Sequence, residues 1–271
     1  MQAYDHAARA TKGARDYQED SSAFWPPKDR AAGDAADVPP MANATRLVAV
    51  LADGMGGHTA GALASRMVCD SFISTYTGLN GSRSDRLIKS LTAANDSIAA
   101  QVQANPMLAG MGTTLVAAVF TSEGVEWVSV GDSPLLLYRR GEIALLNEDH
   151  SLAPELDRLA ELGRITPEQA KHDPRRHMLR SAVTGDALDL VDVSRRPLAL
   201  EEGDYVILAS DGLQTLELTE IQRIVSAYAN DGAEAVANAL IRAVEAMRDP
   251  HQDNTTVLAV RPLPGAVSTA A

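Results

Sequence analysis

Three aspartates lie at the edges of predicted strands, far apart in the sequence. Asp53 and Asp211 each end an apolar run and precede a glycine, and Asp253 comes just before a final apolar run. Three such acids would be a coincidence on a random solvated surface, but they make sense if the strand ends meet. Like charges held together raise each other's pKa, so the cluster needs cations to neutralise it. Paired divalent ions bridged by a carboxylate are the usual arrangement for phosphoester hydrolysis, and the pattern indicates that chemistry.

The segment around Asp53 shows how such a carboxylate could be held. The apolar run 47–52 predicts a buried strand, and three glycines follow Asp53 within four positions. A carboxylate at this break is fixed on a rigid element, and free backbone carbonyls beside it suit a hard divalent cation. An ordinary strand-to-helix turn with a capping aspartate explains this segment equally well. The other aspartates favour the metal site.

Composition excludes several classes of protein. The 271 residues are 45% hydrophobic and 22% charged, as in a soluble globular protein, and one layered domain is as plausible as two. The net charge of -12 argues against nucleic acid or an anionic membrane as the main partner. We find no signal pattern and no apolar run of membrane-spanning length, so we expect a cytoplasmic protein. The single cysteine, Cys69, is interpreted as a buried core residue.

Short apolar runs bounded by turn residues predict strands, and three- and four-residue spacing predicts helices. The predicted strands lie at 47–53, 113–120, 125–130, 135–138, 142–146, 205–210 and 255–260. The predicted helices lie at 60–73, at 87–102 with a start at Ser82 or Ser84, at 154–162, after a capping box at Thr166, and at 219–229 and 233–248. The strands between 113 and 146 predict an antiparallel meander. Residues 26–45 are interpreted as a surface loop between strands of one sheet system, and 262–271 as a disordered tail.

Taken together, the short motifs resemble the metal-dependent serine/threonine protein phosphatases, the PPM or type 2C family, in its bacterial branch. The resemblance runs from about Arg15 to Arg261. The motifs are Arg15-x-x-x-Glu19-Asp20, Asp53-Gly54-Met55-Gly56-Gly57, Gly112-Thr113-Thr114, Gly131-Asp132-Ser133, Ser210-Asp211-Gly212 and Asp253-Asn254-x-Thr256. The resemblance implies an α+β fold, a four-layer α/β/β/α sandwich of two packed antiparallel sheets flanked by helices. It also implies a single catalytic domain over residues 1–261, with a flap at about 152–180.

The resemblance further implies a centre of two Mn²⁺ or Mg²⁺ ions at one end of the sheets. Asp53 would bridge both ions, and Asp211 and Asp253 would complete the first. The Gly54 carbonyl and Glu19, the latter mainly through water, would serve the second.

Three more residues take supporting roles by the same resemblance. Arg15 would bind the substrate phosphate through a bidentate fork. Asp20 would support the water network, and Asn254 would orient the Asp253 loop. The reaction implied is in-line attack by a metal-bridging hydroxide on phosphoserine or phosphothreonine, which reverses the action of a serine/threonine kinase on its protein substrates.

The chain departs from the family pattern in places. Many eukaryotic members have a histidine where this chain has Met55, and we assign no catalytic role to the nearby His58. Asp132 matches a ligand of the third metal that some members bind. The family's usual partner for it is here Thr215, and the arginine that usually follows Gly-Asp-Ser is Pro134. A third ion would therefore be weakly held or differently bound.

Other interpretations remain open from the sequence. The flap carries a basic cluster of His172, Arg175, Arg176, His177 and Arg180, which could hold the acidic flank of a phosphopeptide or form a solvated charged face. For the flap we expect that neutralising Arg175 and Arg176 raises KM for phosphoprotein more than for a small aryl phosphate; equal effects on both substrates would favour the solvated face. The whole chain could also be a catalytically weak phosphoprotein-binding regulatory module. A third alternative is a phosphatase of small phosphoesters or of regulators of the anti-sigma-antagonist type.

Overall fold

A computed structural model of the chain describes residues 3–27, 45–57 and 59–263. Its strands are β1 (Tyr4–Thr11), β2 (Ser21–Trp25), β3 (Thr45–Ala52), β4 (Gly54–Met55), β5 (Gly112–Thr113), β6 (Leu115–Thr121), β7 (Gly124–Val130), β8 (Leu135–Arg139), β9 (Glu142–Leu145), β10 (Asp192–Val193), β11 (Tyr205–Ala209) and β12 (Thr255–Pro262). Its helices are α1 (Thr59–Gly78), α2 (Arg83–Ala104), α3 (Ala153–Glu161), α4 (Pro167–Lys171), α5 (Leu218–Tyr228) and α6 (Ala233–Met247). None of these helices is long and apolar enough to cross a membrane.

The strands form two five-stranded antiparallel sheets and a small two-stranded one. The first sheet has the order β1-β12-β11-β8-β9, the second has the order β10-β7-β6-β3-β2, and β4 pairs with β5. In the first sheet β12 lies between β1 and β11. Thr11, the last residue of β1, pairs with Thr255, the first residue of β12.

Alternation along β3 shows why the sheets stack in layers. Leu47, Ala49 and Leu51 belong to a core that also contains residues of β8, β11 and β12 from the opposite sheet. Val48 and Val50 belong to a second core with α1 and α2. Because successive side chains point to opposite faces of a sheet, both faces of β3 are buried and its sequence is continuously apolar.

Helices cover the outer face of each sheet. Helices α1 and α2 pack on β3, β6 and β7, and α5 and α6 pack on the first sheet in a third core. The predicted four-layer α/β/β/α sandwich is therefore confirmed. Two predicted helix starts are also confirmed, because Ser82 caps α2 and a capping box at Thr166 begins α4.

Some predictions were wrong in detail. The strands between 113 and 146 do not form one meander, since β6 and β7 pair in one sheet while β8 and β9 pair in the other. The turn Gly131–Pro134 carries the chain between the sheets. Strand β1 was missed, and β2, the strand expected before the long loop, had been given no bounds. Pro262, which the sequence placed in the tail, ends β12.

The prediction for the long loop is confirmed where the structure describes it. Strands β2 and β3, on either side of the loop, pair antiparallel in one sheet, with Ser21 opposite Ala52. Residues 28–44 of the loop, His58 and residues 264–271 of the predicted tail lie outside the described residues.

Candidate active site

The strand ends that carry Asp53, Asp211 and Asp253 meet, as predicted from the positions of these aspartates in the sequence. An open cleft of about 500 Å³ lies where β3 and β11 end and β12 begins. The residues given metal, substrate or supporting roles that line it are Arg15, Glu19, Asp53, Gly54, Asp132, Asp211, Asp253 and Asn254. Asp20 is buried and is not in the lining. The structure thus brings together side chains separated by more than two hundred positions in the sequence.

Backbone hydrogen bonds hold Asp53 in place. Its N–H donates to Thr114 Oγ1 at 3.0 Å, and its carbonyl accepts from the Thr114 N–H at 2.9 Å and from Thr113 Oγ1 at 2.7 Å. Thr114 Oγ1 in turn lies 2.8 Å from Ser133 Oγ. The Gly-Thr-Thr and Gly-Asp-Ser motifs therefore fix the backbone that presents Asp53.

Asp20 ties three segments together beneath the cleft. Its Oδ2 accepts from Ser210 Oγ at 2.8 Å and from Thr256 Oγ1 at 2.7 Å. The Thr256 N–H also donates to Ser210 Oγ at 2.9 Å. This network fastens the residue before Asp211 to the strand after Asp253, so Asp20 is placed to support both carboxylates. Sequence reasoning had given no role to Ser210 or Thr256.

The Asn254 side chain contacts the turn formed by residues 12–19. Its Nδ2 donates to the carbonyls of Lys12 and Tyr17, both at 2.9 Å, and its Oδ1 accepts from the Glu19 N–H at 2.7 Å. These contacts pin the turn that carries Arg15. The Asn254 N–H also donates to Asp253 Oδ1 at 2.7 Å. Asn254 therefore ties the 12–19 turn to the Asp253 segment, which is compatible with the role in orienting Asp253 that the resemblance implied.

Close packing of two glycines brings Glu19 and the Gly54 carbonyl together. A Cβ on Gly61, in the first turn of α1, would lie 2.4 Å from Glu19 Oε1 and 3.1 Å from the Gly54 carbonyl oxygen. A Cβ on Gly54 would lie 2.3 Å from the Gly61 carbonyl oxygen. Sequence reasoning missed Gly61, although a glycine in a helix that otherwise has an apolar face is a sign of close approach.

We expect Gly61→Ala to displace the Glu19 carboxylate, because the new methyl group would occupy its position. The concentration of Mn²⁺ needed for half-maximal activity should rise by about 10- to 100-fold, the usual cost of disturbing groups around a metal. The measurement is a Mn²⁺ titration of peptide hydrolysis. Gly78→Ala, at the other end of α1, is the matched control, since a Cβ there meets nothing within 4 Å. An unchanged Mn²⁺ requirement in Gly61→Ala would contradict this role.

Burial and mutual repulsion raise the pKa values of Asp53, Asp211 and Asp132 in the cleft. Burial, followed by the charges of Asp20 and Asp211, raises the pKa of Asp53 well above its ordinary value. Burial, followed by the charge of Asp253, also raises the pKa of Asp211. For Asp132, burial and the charge of Asp211 raise the pKa to about 7.

The ionised form of Asp20 is destabilised in the same way. Burial raises its pKa to about 6, although the hydrogen bonds from Thr256 and Ser210 act in the opposite direction. Carboxylates of this kind are stable as anions only beside cations. Their oxygens, with the Gly54 carbonyl, are hard donors of the type that Mg²⁺ and Mn²⁺ prefer. The donor set therefore fits divalent cations.

One carboxylate of the cleft, that of Asp253, is engaged by Arg15. Asp253 Oδ2 accepts a hydrogen bond from Arg15 Nη2 at 2.5 Å. As the side chains stand, no three Asp, Glu, His or Cys residues in the described parts of the chain are arranged to hold one ion. We expect Asp253 to turn from Arg15 when cations bind, which also frees the guanidinium.

Two arginines of the basic cluster in the flap, Arg175 and Arg176, form ion pairs within the flap itself. Arg175 pairs with Asp173, and both Arg176 nitrogens contact the Asp157 carboxylate at 2.7 and 2.8 Å. His177 alone of the basic cluster lines the cleft. This geometry favours the solvated-face interpretation of the arginines, so Arg175→Gln with Arg176→Gln should change KM for phosphoprotein and for aryl phosphate equally. A rise confined to phosphoprotein, measured by steady-state kinetics, would return the arginines to substrate binding.

Comparison with known proteins agrees with this geometry. A family model described as protein phosphatase 2C matches residues 34–246. The serine/threonine protein phosphatase PstP of Mycobacterium tuberculosis is 36% identical over 218 residues, which is 79% of this chain and 40% of PstP. The chain thus matches less than half the length of that relative. The serine/threonine phosphatase stp of Listeria monocytogenes is 34% identical over 184 residues, which is 66% of this chain and 71% of stp.

Solved structures show the same fold. The crystal structure of the Mycobacterium tuberculosis phosphatase PstP matches with a TM-score of 0.74 and 30% identity, over 96% of this chain and 99% of that one. The catalytic domain of PstP, solved in complex with two manganese ions, matches with a TM-score of 0.74 and 29% identity, over 97% of this chain and 100% of that one. With its sandwich fold, its cleft of strand-end aspartates and these matches, the chain belongs to the protein phosphatase 2C family.

Proposed function

We propose that this chain hydrolyses phosphoserine and phosphothreonine in proteins, with two divalent cations, Mn²⁺ or Mg²⁺. The observation that carries the proposal is the convergence of Asp53, Asp211 and Asp253 in one cleft with Arg15 and Glu19. Relatives named as serine/threonine phosphatases and the two manganese ions in PstP support it. The catalytic domain would span residues 1–261, with residues 152–180 as its flap.

We assign the ligands as the family resemblance implies. Asp53 would be shared by both ions, Asp211 and Asp253 would hold one, and Glu19 with the Gly54 carbonyl would hold the other. Asp132, on the far side of the cleft, would contact a third ion if one binds. When bound, two cations lower the pKa of water between them and polarise the phosphoryl oxygens.

The chain's own residues would bind and orient the substrate. Arg15 lines the cleft with its side chain 53% exposed, so its guanidinium can donate two parallel hydrogen bonds to two phosphoryl oxygens. Asn254 holds the turn that carries Arg15 in position, and Asp20 holds the segments around Asp211 and Asp253 together. The resulting geometry holds the phosphorus beside the acids for in-line displacement.

This activity would reverse phosphorylation by a serine/threonine kinase. We propose that the phosphatase and the kinase both act in the cytoplasm. The alternative of a regulatory module without catalysis has less support, because every carboxylate of the proposed centre is retained in the cleft.

The direct test is hydrolysis of a phosphothreonine peptide by the purified protein after treatment with a chelator. We expect no release of phosphate until Mn²⁺ is added, and full recovery afterwards. Small aryl and alkyl phosphates, and a phosphorylated regulator of the anti-sigma-antagonist type, should be compared at equal concentration. Hydrolysis that is unaffected by the chelator would overturn the metal dependence, and a strong preference for the small esters would overturn the protein substrate.

A further inference from the structure

A second cavity adjoins the acidic cleft. It has a volume of about 280 Å³ and lies between the β8–β9 hairpin, the short helix Asp211–Thr215 and the start of α5. Asp132 lines both spaces. A peptide whose phosphorylated residue occupies the cleft would therefore have neighbouring residues within reach of this cavity.

The walls of the cavity are mainly apolar. The leucine and isoleucine side chains that line it are Leu136, Leu145, Leu213, Leu216, Leu218 and Ile221. Four of these are buried, whereas Leu145 and Leu218 are 49% and 45% exposed. Two large apolar side chains thus face solvent beside a cavity, where they could pack against part of a bound partner.

The same cavity carries negative charge. Asp132, Asp149 and Glu217 line it, and its lining contains no lysine or arginine. The charge of Asp149 acts on Arg176, but that guanidinium is already paired with Asp157. Apolar walls, with carboxylates that form no ion pair among the described residues, favour an occupant that is aliphatic along its length and cationic at its end.

We propose that this cavity binds a lysine or arginine side chain of the phosphoprotein substrate, close in sequence to the phosphorylated residue. The aliphatic stem would pack on Leu145 and Leu218 while the charged head reaches Asp149 or Glu217. A wholly apolar side chain in the cavity would remove water from the cavity's carboxylates without replacing it by a polar partner, which is unfavourable. An acidic side chain would be repelled by the same carboxylates. This inference rests on the proposed phosphatase function and adds a substrate preference to it.

The test uses phosphothreonine peptides in which one arginine is moved through the flanking positions of a neutral sequence. Each peptide is compared with its citrulline counterpart, which has a similar shape and no charge. We expect arginine to raise kcat/KM at one or two neighbouring positions by roughly fivefold to tenfold, the range of a partly exposed ion pair with apolar packing. The effect should appear mainly in KM, because the contact is made equally in the bound state and the transition state.

Two variants locate the preference in the cavity. Leu145→Ser and Glu217→Gln should each reduce the arginine preference to about twofold or less, while hydrolysis of an aryl phosphate stays unchanged. The matched controls are Ile88→Ser, an exposed apolar residue on α2, and Glu245→Gln, an exposed glutamate on α6. Both controls should keep the full preference.

The failures are distinguishable. Equal hydrolysis of arginine and citrulline peptides at every position would overturn the substrate preference and leave the phosphatase function standing. A preference that persists undiminished in both cavity variants would also overturn it, since the acidic cleft itself would then be its source. No hydrolysis of any peptide would overturn the proposed function and this inference with it.

Discussion

Asp53→Asn is expected to reduce hydrolysis of a phosphothreonine peptide by more than about a hundredfold at saturating Mn²⁺. Disturbing groups that only support metal ligands costs about 10- to 100-fold. Asp53 would be shared by both ions, so replacing its charged oxygen with an amide should cost more. The measurement is kcat with Mn²⁺, together with Mn²⁺ affinity by calorimetry.

The fold should survive this substitution. In the metal-free protein Asp53 is a buried carboxylate beside Asp20 and Asp211, so a neutral isostere removes repulsion. We therefore expect Asp53→Asn to unfold at the same or a higher temperature than the parent protein when both are metal-free. Asp96→Asn, an exposed aspartate on α2, is the matched control and should change neither property. Full activity in Asp53→Asn would refute the proposed metal centre.

The metal-free protein should become less stable as the pH rises from 5.5 to 7.5. Asp20 and Asp132 have pKa values raised from 3.8 to about 6 and about 7 in the folded state. A raised acid binds its proton more tightly when folded, so its stabilising contribution is complete below pH 3.8 and is lost as the pH rises through the folded value. At about 1.4 kcal/mol per pKa unit, these two groups together should lower the free energy of unfolding by about 2 to 3 kcal/mol over that interval.

Urea unfolding in the presence of a chelator measures this change. Saturating Mn²⁺ should remove or reverse the slope, because cations take the place of the protons and bind more tightly as the acids ionise. The comparison at each pH, with and without Mn²⁺, separates the cleft acids from histidines elsewhere. A metal-free protein with constant stability between pH 5.5 and 7.5 would show that these carboxylates do not carry the charge repulsion assigned to them.

The sequence was most informative where local patterning and the fold agree. Asp53 and Asp211 each come at the end of a short apolar run that is buried on both faces of its sheet. Each strand and its end could therefore be predicted from the local sequence pattern alone. The N-cap at Ser82 and the capping box at Thr166 are also local signals. These features need only neighbouring residues, and the structure has them where the sequence placed them.

Features that depend on distant partners were less predictable. Strand β1, Tyr4–Thr11, has four charged or titratable side chains and no large aliphatic one, and it is held by pairing with β12. Strand β8 pairs with β11, about 70 residues later, rather than with the strand just before it. Gly61 and Asn254 act across the fold on Glu19 and on the 12–19 turn, and no spacing in the sequence reports those contacts.

The position of β12 between β1 and β11 has a consequence for protein synthesis. The Arg15 turn follows β1, and β1 has only β12 as its partner within the first sheet. On a ribosome, residues 1–250 emerge before β12 exists, so neither the Arg15 turn nor Asp253 can be in place. Among the described strands β12 comes last in the chain. The proposed cleft can therefore be completed only after β12 has left the ribosome, and we expect nascent chains that lack β12 to be inactive on phosphate esters.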